Sequence, residues 1–155
     1  MQTHNDTAGV VARPPLIYLA GLVTGLLLHA IRPIPFLPQR WAKLIGGLVI
    51  ALAFVPGGMA AAAMRRAQTN LDPHQPTTVI VTGGPFRYTR NPIYLSFTLL
   101  FAGIATVVNS LTVLVPLPAV FVIMQRGVIE REEAYLERKF GAEYTQYKAR
   151  VRRWL

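Results

Sequence analysis

Apolar positions along the chain fall into long runs separated by short polar breaks. Residues 15–31 are apolar except for Tyr18, Thr24 and His29, and Arg13 and Arg32 bracket them. Residues 41–64 form a second run, closed by Arg65 and Arg66. Residues 93–125 contain no charged side chain at all. At about 1.5 Å per residue that last stretch far exceeds the roughly 20 residues of one membrane crossing. It predicts two helices, 92–108 and 111–125, folded back at Asn109-Ser110. The expected fold class is therefore all-α: a polytopic membrane protein with about four transmembrane helices and a cytoplasmic C-terminal helical segment.

Proline and glycine mark where these helices stop or bend. Arg32-Pro33-Ile34-Pro35 ends the first, because proline lacks an N–H and restricts the residue before it. Pro56-Gly57-Gly58 predicts a kink in the second. Gly57, Gly58 and the alanines at 60–63 would let another backbone approach closely. Pro116 and Pro118 predict a distorted fourth helix. Between the second and third helices, residues 77–82 are β-branched at every position and should be extended. Gly83-Gly84-Pro85 turns that strip, and Asn91-Pro92 opens the next helix with Asn as cap and Pro at its first position. Such a strip either offers backbone N–H groups to an anion or is a plain return loop.

Charge changes the picture in one respect. A formal net charge of +9 suggests nucleic acid, but only 15% of residues are charged and 52% are hydrophobic. The arginines flank the apolar runs, where membrane topology places them, so no nucleic-acid partner is expected and membrane lipid is. With four crossings both termini share a side. That side holds all of the 16 lysines and arginines except Arg32, Arg40 and Lys43. The positive-inside rule makes it cytoplasmic. The first dozen residues read as a polar tail, not as a cleaved signal. The chain has no cysteine, which excludes disulfides, a thiolate nucleophile and Cys-ligated metal; no metal site is expected.

The C-terminal part is of another kind. Val128, Ile129, Tyr135, Leu136 and Phe140 form a helical stripe within 126–140, and Gly141 is placed to end that helix in the αL conformation. A second segment, 142–150, carries Tyr144 and Tyr147 one turn apart. An amphipathic helix on lipid headgroups accounts for Lys139, Lys148 and the basic residues at 150–153. It does not account for the adjacent carboxylates Glu132 and Glu133, which anionic lipid would repel. They suit Arg87, Arg90 or a cationic ligand. Two other classes compete with an enzyme. A small transporter would want an acidic residue inside a span, and none is there. A non-enzymatic scaffold would have both polar motifs salt-bridged.

Gly84-Pro85-Phe86-Arg87-Tyr88-Thr89-Arg90-Asn91-Pro92-Ile93-Tyr94 resembles the GPYRYxRHPxY signature of integral membrane methyltransferases, the isoprenylcysteine carboxyl methyltransferase and phospholipid N-methyltransferase group. Glu132-Glu133, Leu136, Phe140-Gly141, Tyr144 and Tyr147 resemble that group's second signature, EExxLxxxFGxxYxxY. One uncharged hairpin separates the two, as in the family. Asn91 stands where many members have histidine, so no histidine base is available there.

The resemblance implies an enzyme that transfers a methyl group from S-adenosylmethionine to a lipophilic or small acceptor, such as a prenylcysteine-like carboxylate or a lipid amine, at the cytoplasmic face. It covers about residues 77–155, which would be a cofactor-binding core. With the polar tail at 1–14 and two transmembrane helices within 15–64 read from the apolar runs, the chain is expected to form a single integral membrane domain over 1–155. Carried over by position, Val81, Gly84, Arg90, Asn91, Tyr94, Glu132 and Glu133 would bind the cofactor. Arg90 and Glu132 would be the catalytic pair, and Arg126, Tyr144 and Tyr147 would meet the acceptor. The chemistry is consistent: the cofactor's ammonium suits a carboxylate, its carboxylate suits arginine, and its sulfonium suits an aromatic face.

Overall fold

The structure is a computed structural model that describes residues 6–155; residues 1–5 of the expected polar tail lie outside the described residues. Four helical layers carry the apolar runs. Helix α1 spans Pro14–Ile31, α2 Gln39–Arg66 and α3 Pro92–Val108. The fourth layer is broken into α4 (Leu111–Leu114) and α5 (Leu117–Met124). It continues through a π-helical turn, Gln125–Ile129, into α6 (Glu130–Phe140), and α7 (Ala142–Arg150) follows. No strand occurs among the described residues. Three of these helical stretches are long and apolar enough to cross a membrane, and α3 is a shorter apolar helix. The protein is a polytopic all-α membrane protein.

The breaks follow the prolines in the fourth layer. Pro116 cannot donate a backbone N–H, and α4 ends one turn before α5 starts. In α2 the outcome differs: the helix runs without interruption from Gln39 through Pro56 to Arg66. Ser96 of α3 donates its hydroxyl to the Ala53 carbonyl just ahead of that proline. Such a bond from a neighbouring helix is how an interior proline is accommodated in an apolar setting.

Small residues set the helix spacing. A Cβ on Gly46 would stand 2.6 Å from the Val107 nitrogen, so α2 and α3 approach backbone to backbone there. Gly57 faces Ser96 in the same interface, but Gly58 meets nothing and has no part in it. On the other side of α3, Tyr18 of α1 bonds Thr98 at 2.8 Å and donates to the Tyr94 carbonyl at 3.2 Å. Phe101, Val113, Met124, Val128 and Ile129 form the buried core between α1, α3 and the fourth layer.

The hairpin turns where expected. Asn109 adopts αL at φ 56°, which asparagine tolerates, and closes α3. Its side chain accepts from the Phe36 and Leu37 nitrogens and donates to the Leu37 carbonyl, which ties the hairpin tip to the α1–α2 connection. At the other end of the bundle both described chain ends meet. Gly141 separates α6 from α7 at φ 55° and ψ −122°, a positive-φ glycine but not the αL one expected. The 77–82 strip, expected to be extended, forms neither helix nor strand and bends at Val79, while Gly84–Arg87 forms a 3₁₀ turn.

The polar tail is not free. Val11 N–H donates to the Gly127 carbonyl at 3.1 Å, and Arg131 donates to the Gly9 carbonyl at 2.8 Å. Ala8 and Val10 are buried. Tyr135 donates to Asp6 Oδ1 at 2.9 Å, and Lys139 pairs with the same carboxylate. Residues 6–13 therefore lie along α6 and the π turn.

Candidate active site

A cavity of about 460 Å³ opens at the end of the bundle where the two motifs meet. One wall is the start of α3, which brings Arg90, Asn91, Tyr94 and Phe97 to it. Facing them, α6 contributes Glu132, Glu133 and Leu136, and α7 contributes Tyr144 and Tyr147. Ile80 and Val81 of the 77–82 strip, Met64 of α2, and Pro14 and Pro15 of α1 add to the apolar lining.

The two adjacent carboxylates have different surroundings, because neighbours on a helix point about 100° apart. Glu132 accepts a hydrogen bond from the Tyr94 hydroxyl at 2.6 Å, and no cation pairs with it among the described residues. Glu133 is only 5% exposed and is surrounded by cations. Arg153 donates through Nε to Oε1 at 2.9 Å and through Nη2 to Oε2 at 2.6 Å. Arg90 Nη1 stands 2.9 Å from Oε1, and Lys148 is 3.8 Å from Oε2. Arg87 is exposed and is not among these partners.

Arg90 is nine-tenths buried. Its approach to Glu133 is close but not aligned for a hydrogen bond, and both its Nε and its Nη1 lack an acceptor. Buried donors without acceptors cost about 1–3 kcal/mol each, more for charged groups. Such a group is characteristic of a place where a ligand supplies the missing acceptor.

Asn91 occupies the N-cap position of α3, but its side chain does not cap the helix. Its Nδ2 donates instead to the Arg153 carbonyl at 2.9 Å, and the Thr89 hydroxyl donates to the same oxygen at 3.2 Å. Arg90 N–H donates to the Arg152 carbonyl at 3.0 Å. The first motif is thus stitched along its length to the chain's last residues. Tyr147 donates to the Phe86 carbonyl at 2.8 Å, linking the second motif to the first. Burial, and then Glu133, push the Tyr144 hydroxyl up to about 12, so it remains protonated at neutral pH.

Not every expected residue lies at the cavity. Gly84 sits in the 3₁₀ turn outside it, and its positive φ of 60° serves that turn. Arg126 lies in the π turn, exposed and away from the cavity, because the extra residue of a π turn rotates that part of the helix. The basic residues assigned to lipid phosphate are partly committed inside the protein. Lys148 binds Glu137 and Glu133, Lys139 binds Asp6, and Arg153 binds Glu133. Sequence reasoning missed Arg153 because it stands in a basic cluster that reads as headgroup-facing. It also missed Ala8 and Arg13 at the cavity rim, since nothing in a short polar tail signals where it docks.

Comparison with known proteins agrees with this arrangement. A protein of Haemophilus influenzae described as "Uncharacterized protein" is 50% identical over 64 residues, which are 41% of this chain and all of that relative. The family model described as phospholipid methyltransferase matches residues 41–143, from the start of α2 through both carboxylates to the start of α7. With two motifs meeting over one cavity and a match across most of its length, the chain belongs to the phospholipid methyltransferase family.

Proposed function

We propose that this protein transfers a methyl group from S-adenosylmethionine to a lipid acceptor at the cytoplasmic face of the membrane. One observation carries the reading: Glu132, a carboxylate with no cationic partner, shares a cavity with Arg90, a buried guanidinium with unfilled donors. A zwitterionic ligand answers both at once. The residues fit this cofactor in charge and size, since about 460 Å³ lies within the roughly 300–1,000 Å³ of small-molecule sites. When bound, S-adenosylmethionine supplies an electrophilic methyl on a sulfonium.

The chain's own contribution is binding and orientation. Arg90 would hold the carboxylate and Glu132 the ammonium, with Tyr94 fixing the Glu132 carboxylate by its 2.6 Å bond. Tyr144 and Tyr147, both buried, close one side against water. Val81 and Asn91 line the cavity without a free charge, which suits the uncharged parts of the ligand. Phe97, Pro15 and Met64 carry the lining to the apolar helices, where a lipid acceptor would approach. Holding two reactants in line is the largest effect available to such a site, and exclusion of water adds to it. Glu133, engaged on both oxygens, is a structural hub in this reading.

A scaffold role would have both carboxylates neutralised within the protein. Only Glu133 is paired with cations among the described residues. The test is transfer of label from methyl-labelled S-adenosylmethionine into lipid, in membranes containing the wild type or E132Q. Labelled lipid from the wild type and a strong loss in E132Q support the proposal. No labelled lipid from the wild type refutes it.

A further inference from the structure

Arg153 lies beyond the family-matched residues, does not line the cavity, and yet joins both motifs. Its backbone carbonyl accepts from Asn91 and Thr89 of the first motif, and its guanidinium donates to both oxygens of Glu133 in the second. The tail is fixed on its far side by Trp154, which stacks on Phe121 with ring centroids 4.8 Å apart. Arg153 is therefore held in place by its backbone and its neighbour, and its side chain hydrogen-bonds Glu133 with Glu130 a more distant partner at 3.8 Å.

That commitment has a consequence for Arg90. Glu133 is the only carboxylate that ion-pairs with Arg90 among the described residues, and Arg153 takes the aligned bonds on both of its oxygens. Arg90 is left beside Glu133 with Nε and Nη1 unsatisfied.

We propose that Arg153 is a positioning residue: by taking the aligned hydrogen bonds on Glu133 it leaves Arg90 with an ion pair but unfilled donors, available to an anionic group of the ligand. This inference rests on the reading of the cavity as an S-adenosylmethionine site and identifies what sets its affinity for the ligand carboxylate. Without the Arg153 side chain, the Glu133 oxygens are free to align on the Arg90 donors and compete with that carboxylate. The Arg153 side chain acts through charge alone, because its backbone anchors survive any substitution.

The experiment compares S-adenosylmethionine with decarboxylated S-adenosylmethionine, which keeps the sulfonium and the ammonium. Binding to purified wild type, R153Q and the double variant R153Q/E133Q is measured and corrected for folded fraction. R153Q should bind S-adenosylmethionine about tenfold or more weakly, the scale of a lost charged hydrogen bond, with little change for the decarboxylated form. R153Q/E133Q should recover most of that loss, because the competing carboxylate is gone. Equal weakening toward both ligands, or no recovery in the double variant, reduces Arg153 to a structural residue and overturns the proposal. A wild type that binds neither ligand overturns the cofactor reading itself, an outcome distinct from either of those.

Discussion

The Tyr94 hydroxyl donates to Glu132 Oε1 at 2.6 Å, across the gap between the third helix and the polar extension of the fourth layer. It is the one side-chain hydrogen bond that Glu132 receives among the described residues, and Tyr94 is buried. Charge-assisted bonds of this length are strong and directional. The relationship fixes which way the unpaired carboxylate faces.

Replacing Tyr94 with Phe keeps the ring and removes only that donor. Affinity for S-adenosylhomocysteine should fall by about 1.5–3 kcal/mol, the worth of a hydrogen bond to a charged group. The melting temperature should move by a few degrees at most, because the ring still fills its place in the core. Calorimetric titration together with a melting curve separates the two effects.

Glu132 and Glu133 should respond in opposite ways to the same chemical change. Burial pushes the Glu132 carboxyl up to about 7, and no cation pairs with it among the described residues. E132Q should therefore preserve folding while cofactor affinity drops. E133Q strands Arg90 and Arg153 together. It should cost about 3 kcal/mol of stability, the lower end for a buried pair because Arg153 and Lys148 keep access to water. Affinity per folded molecule should survive in E133Q. Chemical denaturation and binding on both variants check the split.

Much of this was legible in the sequence, and the reasons it was not complete are local. An uncharged run of 93–125 can only be a folded-back pair of helices, and α3 begins and ends where the prolines and Asn109 dictate. The two motifs announced the cavity through residue types that have no business at an anionic lipid surface. Partner choice was not legible. Which of two adjacent carboxylates faces the cavity depends on helix phase, and the π turn at Gln125–Ile129 resets that phase without a distinctive residue. Asn91 was expected to cap a helix, a local choice, but the tail brought a carbonyl within 2.9 Å and the tertiary contact won.

Attachment of the N-terminal tail should be insensitive to pH over the physiological range and weaken in acid. Hydrogen bonds from Lys139, and then Tyr135, hold the Asp6 carboxyl below its ordinary value of 3.8. A lowered folded value means that the contribution is fully present above the unfolded value and lost as pH falls through the folded one. Hydrogen-exchange protection of the Val11 N–H, which bonds to Gly127, should be flat from neutral pH down to about 5 and decline below about 4. D6N should lower it already at neutral pH. Equal protection in D6N and wild type would detach Asp6 from this role.

Sidedness can be read directly because the chain has no cysteine of its own. Single substitutions L111C at the hairpin tip and E143C on the last helix place exposed thiols at opposite ends of the bundle. An impermeant maleimide added to intact cells should label L111C, and should label E143C only after the membrane is opened. Labelling of E143C in intact cells would put both motifs on the outer side.

The central claim, that the cavity between the two motifs holds S-adenosylmethionine, is tested most directly by calorimetric titration of S-adenosylhomocysteine into the purified wild-type protein in detergent. The account predicts saturable binding at one ligand per chain and a melting temperature that rises with ligand concentration, as expected of a ligand that binds only the folded state. No heat of binding together with an unmoved melting curve at high ligand concentration would contradict it.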